Sequence, residues 1–167
     1  MRNIQPLTAK PVLYVANVGE DASLEPPAEL AARGKALAVS ARIESELAEL
    51  DHEEAVAMRA DLGVTESGLD RIIKGAFELL ELISFFTAGE GKEARAHAVP
   101  AGTTAWQAAG KIHSDIQRGF VRAEVVPWDV LVEAGGYAGA RDRGALRLEG
   151  RDYVMADGDV ITIKFTP

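Results

Sequence analysis

Two segments decide how this chain is read: SFFTAGEGKEARAHAVPAGTTAWQAAGKIHSDIQRGFVRAEVV, residues 84–126, and GRDYVMADGDVITIKF, residues 150–165. Residues 94–99 alternate apolar and polar as a strand does, and Pro100-Ala101-Gly102 turns the chain. Thr103 or Thr104 then caps a helix that runs to about Gln117 and ends at Gly119. Ala105, Ala108, Ala109, Ile112 and Ile116 give that helix an apolar stripe. Residues 120–126 form a second strand, residues 128–134 a short helix, and residues 135–144 a glycine-rich loop. Leu146 and Leu148 suggest a short strand and residues 152–155 another. Asp157-Gly158 makes a tight turn, and residues 160–165 alternate as the closing strand of a hairpin.

This order of strand, helix, strands and final hairpin predicts a small mixed sheet crossed by one helix. That is an α+β module of the β-grasp, ubiquitin-like kind, over residues 85–167. Its chemistry is sparse. His113 and Asp115 sit two apart and share no helix face, so His113 reads as a surface histidine. Lys111, Arg118 and Arg122 form one basic group, and Arg141, Arg143, Arg147 and Arg151 a second. Asp115, Glu124, Asp142, Glu149 and Asp152 dilute both. With no nucleophile beside a base, the module reads as a binding unit rather than a catalyst.

Residues 1–84 follow another pattern. The apolar run at residues 12–18 (VLYVANV) reads as a strand buried on both faces, as in a parallel sheet. A helix is expected at residues 28–33, stopped by Gly34, and a second strand at residues 35–40. A long helical stretch follows over residues 41–63, with Asp51 placed to cap a helix start and Glu54 three residues on. The next helix begins near Thr65 or Ser67 and runs to about Ile83, with Leu69, Ile72, Ile73, Ala76, Phe77, Leu80 and Ile83 on one face. Strand, helix, strand, helix implies a parallel α/β sheet, whose ligands bind at the carboxyl ends of the strands. Here those ends are Asn17-Val18-Gly19-Glu20 and Ser40-Ala41-Arg42. An asparagine amide can donate to and accept from a purine edge, and a carboxylate can accept a ring N–H. By itself the Asn17…Glu20 spacing is weak, and a polar turn with Asn17 as a turn residue is the better reading of it.

No GxxxxGK[ST] phosphate loop occurs in the sequence. The nearest approach, AGEGKEAR, lacks the hydroxyl residue and follows a helical pattern instead of a strand. Two strands are also few for a doubly wound domain, so residues 1–84 are expected to be the closing part of a larger nucleotide domain. The net charge of −8 is uneven: residues 1–84 hold 8 basic and 15 acidic side chains, residues 85–167 hold 10 and 11. That balance argues against broad nucleic-acid binding. Cysteine is absent, the three histidines share no ligand spacing, and no eighteen-residue apolar run exists. These exclude disulfides, argue against a metal centre, and leave no membrane helix.

FFTAG, KEARA, AAGKIHSD, GFVRAEV, EGRDYVMADGDV and the closing IKF resemble the C-terminal TGS domain of the YchF/Obg-like ATPase family. LDRIIKGAFELLELISFFTAG and KPVLYVANVGED resemble that family too, the latter at its base-recognition strand. The resemblance covers the whole chain as the C-terminal portion of such a protein. It implies an α/β fragment of a P-loop nucleotide-binding domain, residues 1–84, followed by a TGS β-grasp domain, residues 85–167. It also implies that Asn17, Val18 and Glu20 stand where classical GTPases carry their guanine-reading motif, with Ser40 and Ala41 as the second base-contacting loop. A glutamate for the usual aspartate, and no lysine, removes the guanine-specific fit. Two features depart from the family pattern: one extra residue before the strand that starts near Ala94, and Trp106 and His97 in place of the expected proline and tryptophan.

The implied parent is a cytoplasmic protein that hydrolyses ATP or GTP with Mg and associates with the ribosome or rRNA through the TGS domain. The phosphate loop and magnesium ligands carry over onto no residue here. These residues are therefore expected to be non-catalytic, with millimolar or no nucleotide binding and no membrane partner. The competing expectation is a non-catalytic RNA- or protein-binding adaptor whose α/β part is scaffold.

Overall fold

The computed structural model describes residues 6–19, 25–64, 66–89 and 92–166. The chain divides into two compact units, Met1–Leu80 and Glu81–Pro167.

In the first unit a short 3₁₀ turn, Leu7–Ala9, leads to strand β1, Tyr14–Asn17. Helix α1, Ala28–Ala31, precedes strand β2, Ala36–Val39, which pairs with β1 in parallel from Tyr14↔Ala36 to Asn17↔Val39. Helices α2, Ala41–Leu47, α3, His52–Asp61, and α4, Gly68–Leu79, follow. Each starts at a side-chain cap: Ser40 accepts from the Ile43 amide, Asp51 from Glu54 and Ser67 from Asp70. Helix α4 comes down directly on β2. A Cβ at Gly75 would lie 2.7 Å from Leu37 Cδ1, so glycine is what permits the close approach.

Three expectations for this unit are corrected. Strand β1 is not buried on both faces, since its Val15 is 42% exposed, as is Val12 just ahead of it at 50%. Among the described residues its sheet has two strands. The helical stretch 41–63 is broken at residues 48–51, because the extended Asp51 caps α3 instead of continuing α2. Helix α4 stops at Leu79, and Leu82 and Ile83 are already in a strand. Glu81 sits at φ 51°, in the left-handed region, and turns the chain out of the helix.

The second unit is a five-stranded sheet in the order β4-β3-β7-β5-β6. Its strands are β3, Leu82–Gly89, β4, Lys92–Pro100, β5, Phe120–Pro127, β6, Arg147–Glu149, and β7, Asp159–Phe165. Strands β3 and β4 form an antiparallel pair, β7 lies parallel to β3, and β5 is antiparallel to both β7 and β6. Helices α5, Ala105–Ile112, and α6, Ser114–Arg118, belong to one face, and α7, Trp128–Glu133, and α8, Tyr137–Asp142, to the other. The apolar dipeptides of the central strands serve both faces. Phe85, Val125 and Ile161 enter the core with Ala105, Ala108 and Ala109. Phe86, Val126 and Val160 enter a second core with Ala140, Leu131 and Tyr137. Register pairs Phe86 and Val126 with Val160, so that second set forms one row across three strands.

Here the structure corrects the sequence reading at five places. Strand β3 replaces the expected end of a helix, because Leu82 and Ile83 pair with Pro100 and Val99. The helix expected up to Gln117 divides at His113, whose extended backbone caps α6. The loop 135–144 contains α8, made possible by Gly139: a Cβ there would lie 1.9 Å from the Ala134 carbonyl oxygen. Residues 152–155 form no strand beyond a bridge of Val154 to Thr104. The Asp157-Gly158 turn closes no hairpin. Its Asp157 carboxylate accepts from the Ser84 amide at 2.7 Å and Gly158 donates to the Ser84 carbonyl, tying the loop to β3.

Candidate functional site

The two parallel strands of the first unit end side by side, and this places four of the five sequence-predicted site residues together. Asn17 closes β1 opposite Val39, and the Val18 amide donates to the Val39 carbonyl at 2.9 Å. Ser40 and Ala41 lie at the join of β2 and α2. The Ala41 amide donates to Asn17 Oδ1 at 3.0 Å and bridges the two loops. Ser40 is 3% exposed, with its hydroxyl turned back onto the Ile43 amide. Glu20, the fifth residue, lies outside the described residues.

This arrangement has a chemical consequence. With Oδ1 held by Ala41, the Asn17 carboxamide presents its Nδ2 donors to an incoming group. The Ala41 amide is itself committed to Asn17.

Sequence reasoning missed two residues behind this corner. Arg71 of α4 donates from Nη1 to the Ala38 carbonyl at 2.8 Å, and Glu44 of α2 accepts from the Gly68 amide at 2.8 Å. Val39, Ser40 and Val64 line the space between them. No local pattern links Glu44 to Gly68 or Arg71 to Ala38, since each pair is joined only by the fold.

In the second unit three of the grouped basic side chains are engaged. Arg118 pairs with Asp115, and Arg151 donates to the Phe120 carbonyl at 3.2 Å. Arg147 donates to the Tyr153 hydroxyl at 2.8 Å and lies 3.6 Å from Glu149. His113 accepts from the Asp115 amide through Nδ1 at 3.1 Å, a capping role that fits a surface histidine. Of the two residues that replace the family's expected ones, His97 stacks on Phe85 with ring centroids 4.9 Å apart, and Trp106 is 40% exposed at the start of α5.

Residues 82–166, the sheet and its four helices, match the YchF-GTPase_C family, whose description is a protein of unknown function (DUF933). The chain belongs to the YchF-GTPase_C family. Its relatives agree. The ribosome-binding ATPase YchF of Bacillus subtilis (strain 168) is 46% identical over 175 residues, which cover 99% of this chain and 48% of the relative. The protein of the same name from Escherichia coli O157:H7 is 42% identical over 172 residues, 99% of this chain and 47% of the relative. The YchF GTPase structure from Schizosaccharomyces pombe superimposes with a TM-score of 0.79 at 31% identity, covering 94% of this chain and 44% of that one. The chain thus spans about half the length of the curated relatives it matches and corresponds to the C-terminal portion of a YchF protein. No helix among the described residues is long and apolar enough to cross a membrane.

Proposed function

We propose that this chain supplies the base-contacting corner and the ribosome-docking module of a YchF-type ATPase. The first unit is the closing fragment of a P-loop nucleotide-binding domain. Asn17, Val18, Glu20, Ser40 and Ala41 contact the purine, and the phosphate and magnesium chemistry of the parent falls on none of these 167 residues. The second unit is a TGS domain of the β-grasp class that docks on the ribosome or its RNA, in the cytoplasm where ribosomes are. The Asn17–Ala41 hydrogen bond carries this reading. It fastens two loops at the carboxyl ends of parallel strands, where α/β sheets bind ligands, and fixes Asn17 as a donor. A donor at that point suits a ring nitrogen acceptor of either ATP or GTP, so discrimination between them falls to Glu20. The names of the relatives, ribosome-binding ATPases, support the nucleotide and ribosome parts.

The test has two arms. Magnesium ATP titrated into the isotope-labelled 167-residue protein shifts the Asn17 side-chain and Ala41 backbone resonances with millimolar affinity, and no turnover above background accompanies it. Asn17→Asp, which replaces the Nδ2 donors with a carboxylate, abolishes the shift. Turnover, or an unaltered shift in Asn17→Asp, overturns the base-site reading. The second arm is co-sedimentation of the same protein with ribosomes, and failure to pellet overturns the docking role.

A further inference from the structure

Helix α4 carries none of the expected base-contacting residues, yet its first turns hold the strand end that carries two of them. Arg71 reaches from α4 to the carbonyl of Ala38, two residues before Ser40, at 2.8 Å. Ala38 is fully buried and Ser40 nearly so. From the other side Glu44, in the first turn of α2, accepts from the Gly68 amide at the start of α4 at 2.8 Å. The β2–α2 corner is therefore gripped on both flanks by one helix. The two helices approach closely where the gripping groups meet, at Gly68. A Cβ at Gly68 would fall 3.1 Å from Glu44 Cγ. Farther along, Gly75 lets α4 settle against Leu37 and Leu13, so the helix cannot slide without disturbing β2.

We propose that Arg71 and Glu44 are positioning residues for the Ser40-Ala41 loop, and that α4 is the brace through which they act. The inference rests on the base-site reading above but makes its own demand. Ala41 can hold Asn17 in its donor orientation only while the β2–α2 corner stays in place. A charged donor to a carbonyl and a carboxylate acceptor to an amide are the stronger class of hydrogen bond, suited to fixing backbone. Loss of either grip frees the Ala41 amide from Asn17 and lets the carboxamide turn, which removes the directed donor without removing any contacting residue.

Amide hydrogen exchange in the 167-residue protein tests this. In Arg71→Met, exchange at Ala41 and Ile43 is expected to rise roughly tenfold, while amides of β5 and β7 hold their protection. Arg71→Lys, which keeps a cationic donor, restores most of the protection at Ala41. If Arg71→Met also loosens α4 itself, Glu44→Ala decides the matter. That change leaves the Ser67 cap of α4 intact and is expected to release Ala41 and Ile43 alone. Unchanged exchange at Ala41 and Ile43 in Arg71→Met with α4 protected, or in Glu44→Ala, overturns the proposal. The magnesium ATP titration separates the two readings. No shift in the unmodified protein, with the exchange pattern as expected, sinks the base site and leaves the brace. A shift at Asn17 equal in the unmodified protein and in Arg71→Met sinks the brace.

Discussion

The hydroxyl of Tyr153 donates to the carboxylate of Asp159 at 2.9 Å, and Asp159 is only 2% exposed. The same carboxylate oxygen accepts from the Ala156 amide at 2.8 Å, and Arg147 lies 3.7 Å from the other oxygen. Arg147 also sits over the Tyr153 ring, 5.2 Å from its centroid. One buried acid thus organises the loop between β6 and β7. Asp159→Ala strands the Ala156 amide and the Tyr153 hydroxyl in an apolar setting. It should cost about 3 kcal/mol, read as a lowered urea midpoint of the second unit with an unchanged slope.

Alkaline pH should loosen the same loop. Burial, and then the hydrogen bond to Asp159, push the Tyr153 phenol above its usual range, although the bond from Arg147 pulls the other way. A raised folded pKa means that the stabilisation is complete below the ordinary phenol value of about 10 and is lost as pH climbs through the folded value. Tyr153→Phe should be less stable than the parent near neutrality and show a flatter decline in melting temperature above about pH 10. Parallel declines in the two proteins would count against this.

Acid acts at another place. His97 stacks on Phe85, and its Nε2 lies 3.0 Å from Thr87 Oγ1. Burial first, then Lys111 and Arg95, hold its pKa below the ordinary imidazole value. The unfolded chain therefore takes up a proton at His97 before the folded one does. The stability this residue contributes is full above about pH 6.5 and falls as pH drops through the folded value. His97→Phe should remove that part of the acid sensitivity, and melting curves across the window would show it.

Gly139 should tolerate no side chain. A Cβ would meet the Ala134 carbonyl oxygen at 1.9 Å, and because that atom is backbone no rotamer change relieves the clash. Gly139→Ala should cost about 2 kcal/mol despite alanine's better helix propensity. A neutral or stabilising result by thermal melting would show that the turn between α7 and α8 yields more readily than its packing implies.

Much of this was readable in the sequence wherever local chemistry decides the outcome. Asp51, Ser67 and Thr104 cap helices as hydroxyl and carboxyl residues do. The parallel pairing of residues 14–17 with 36–39 follows from two short apolar runs separated by a helix. Asn17, Val18, Ser40 and Ala41 come together because strand ends in such sheets do. What escaped depends on partners distant in sequence. Leu82 and Ile83 fit a helical stripe as well as a strand, and only pairing with Val99 and Pro100 settles them. Tyr137 and Ala140 form a helix in a glycine-rich stretch because Val126 and Val160 offer them a core. The grip of Arg71 on Ala38 leaves no trace in spacing at all.

Strand β7 comes late in the sequence yet lies in the middle of its sheet, between β3 and β5. Phe86 and Val126 each find their sheet neighbour in Val160, and Thr87 and Val125 in Ile161. A ribosome making this protein therefore releases β3, β4 and β5 before the strand that joins them exists. Until residues 159–165 emerge, β3 and β5 carry open edges and half-formed cores, the condition under which nascent chains associate wrongly. The second unit can close only as its synthesis nears completion, and long-range parallel pairing makes that closure slow compared with forming a helix.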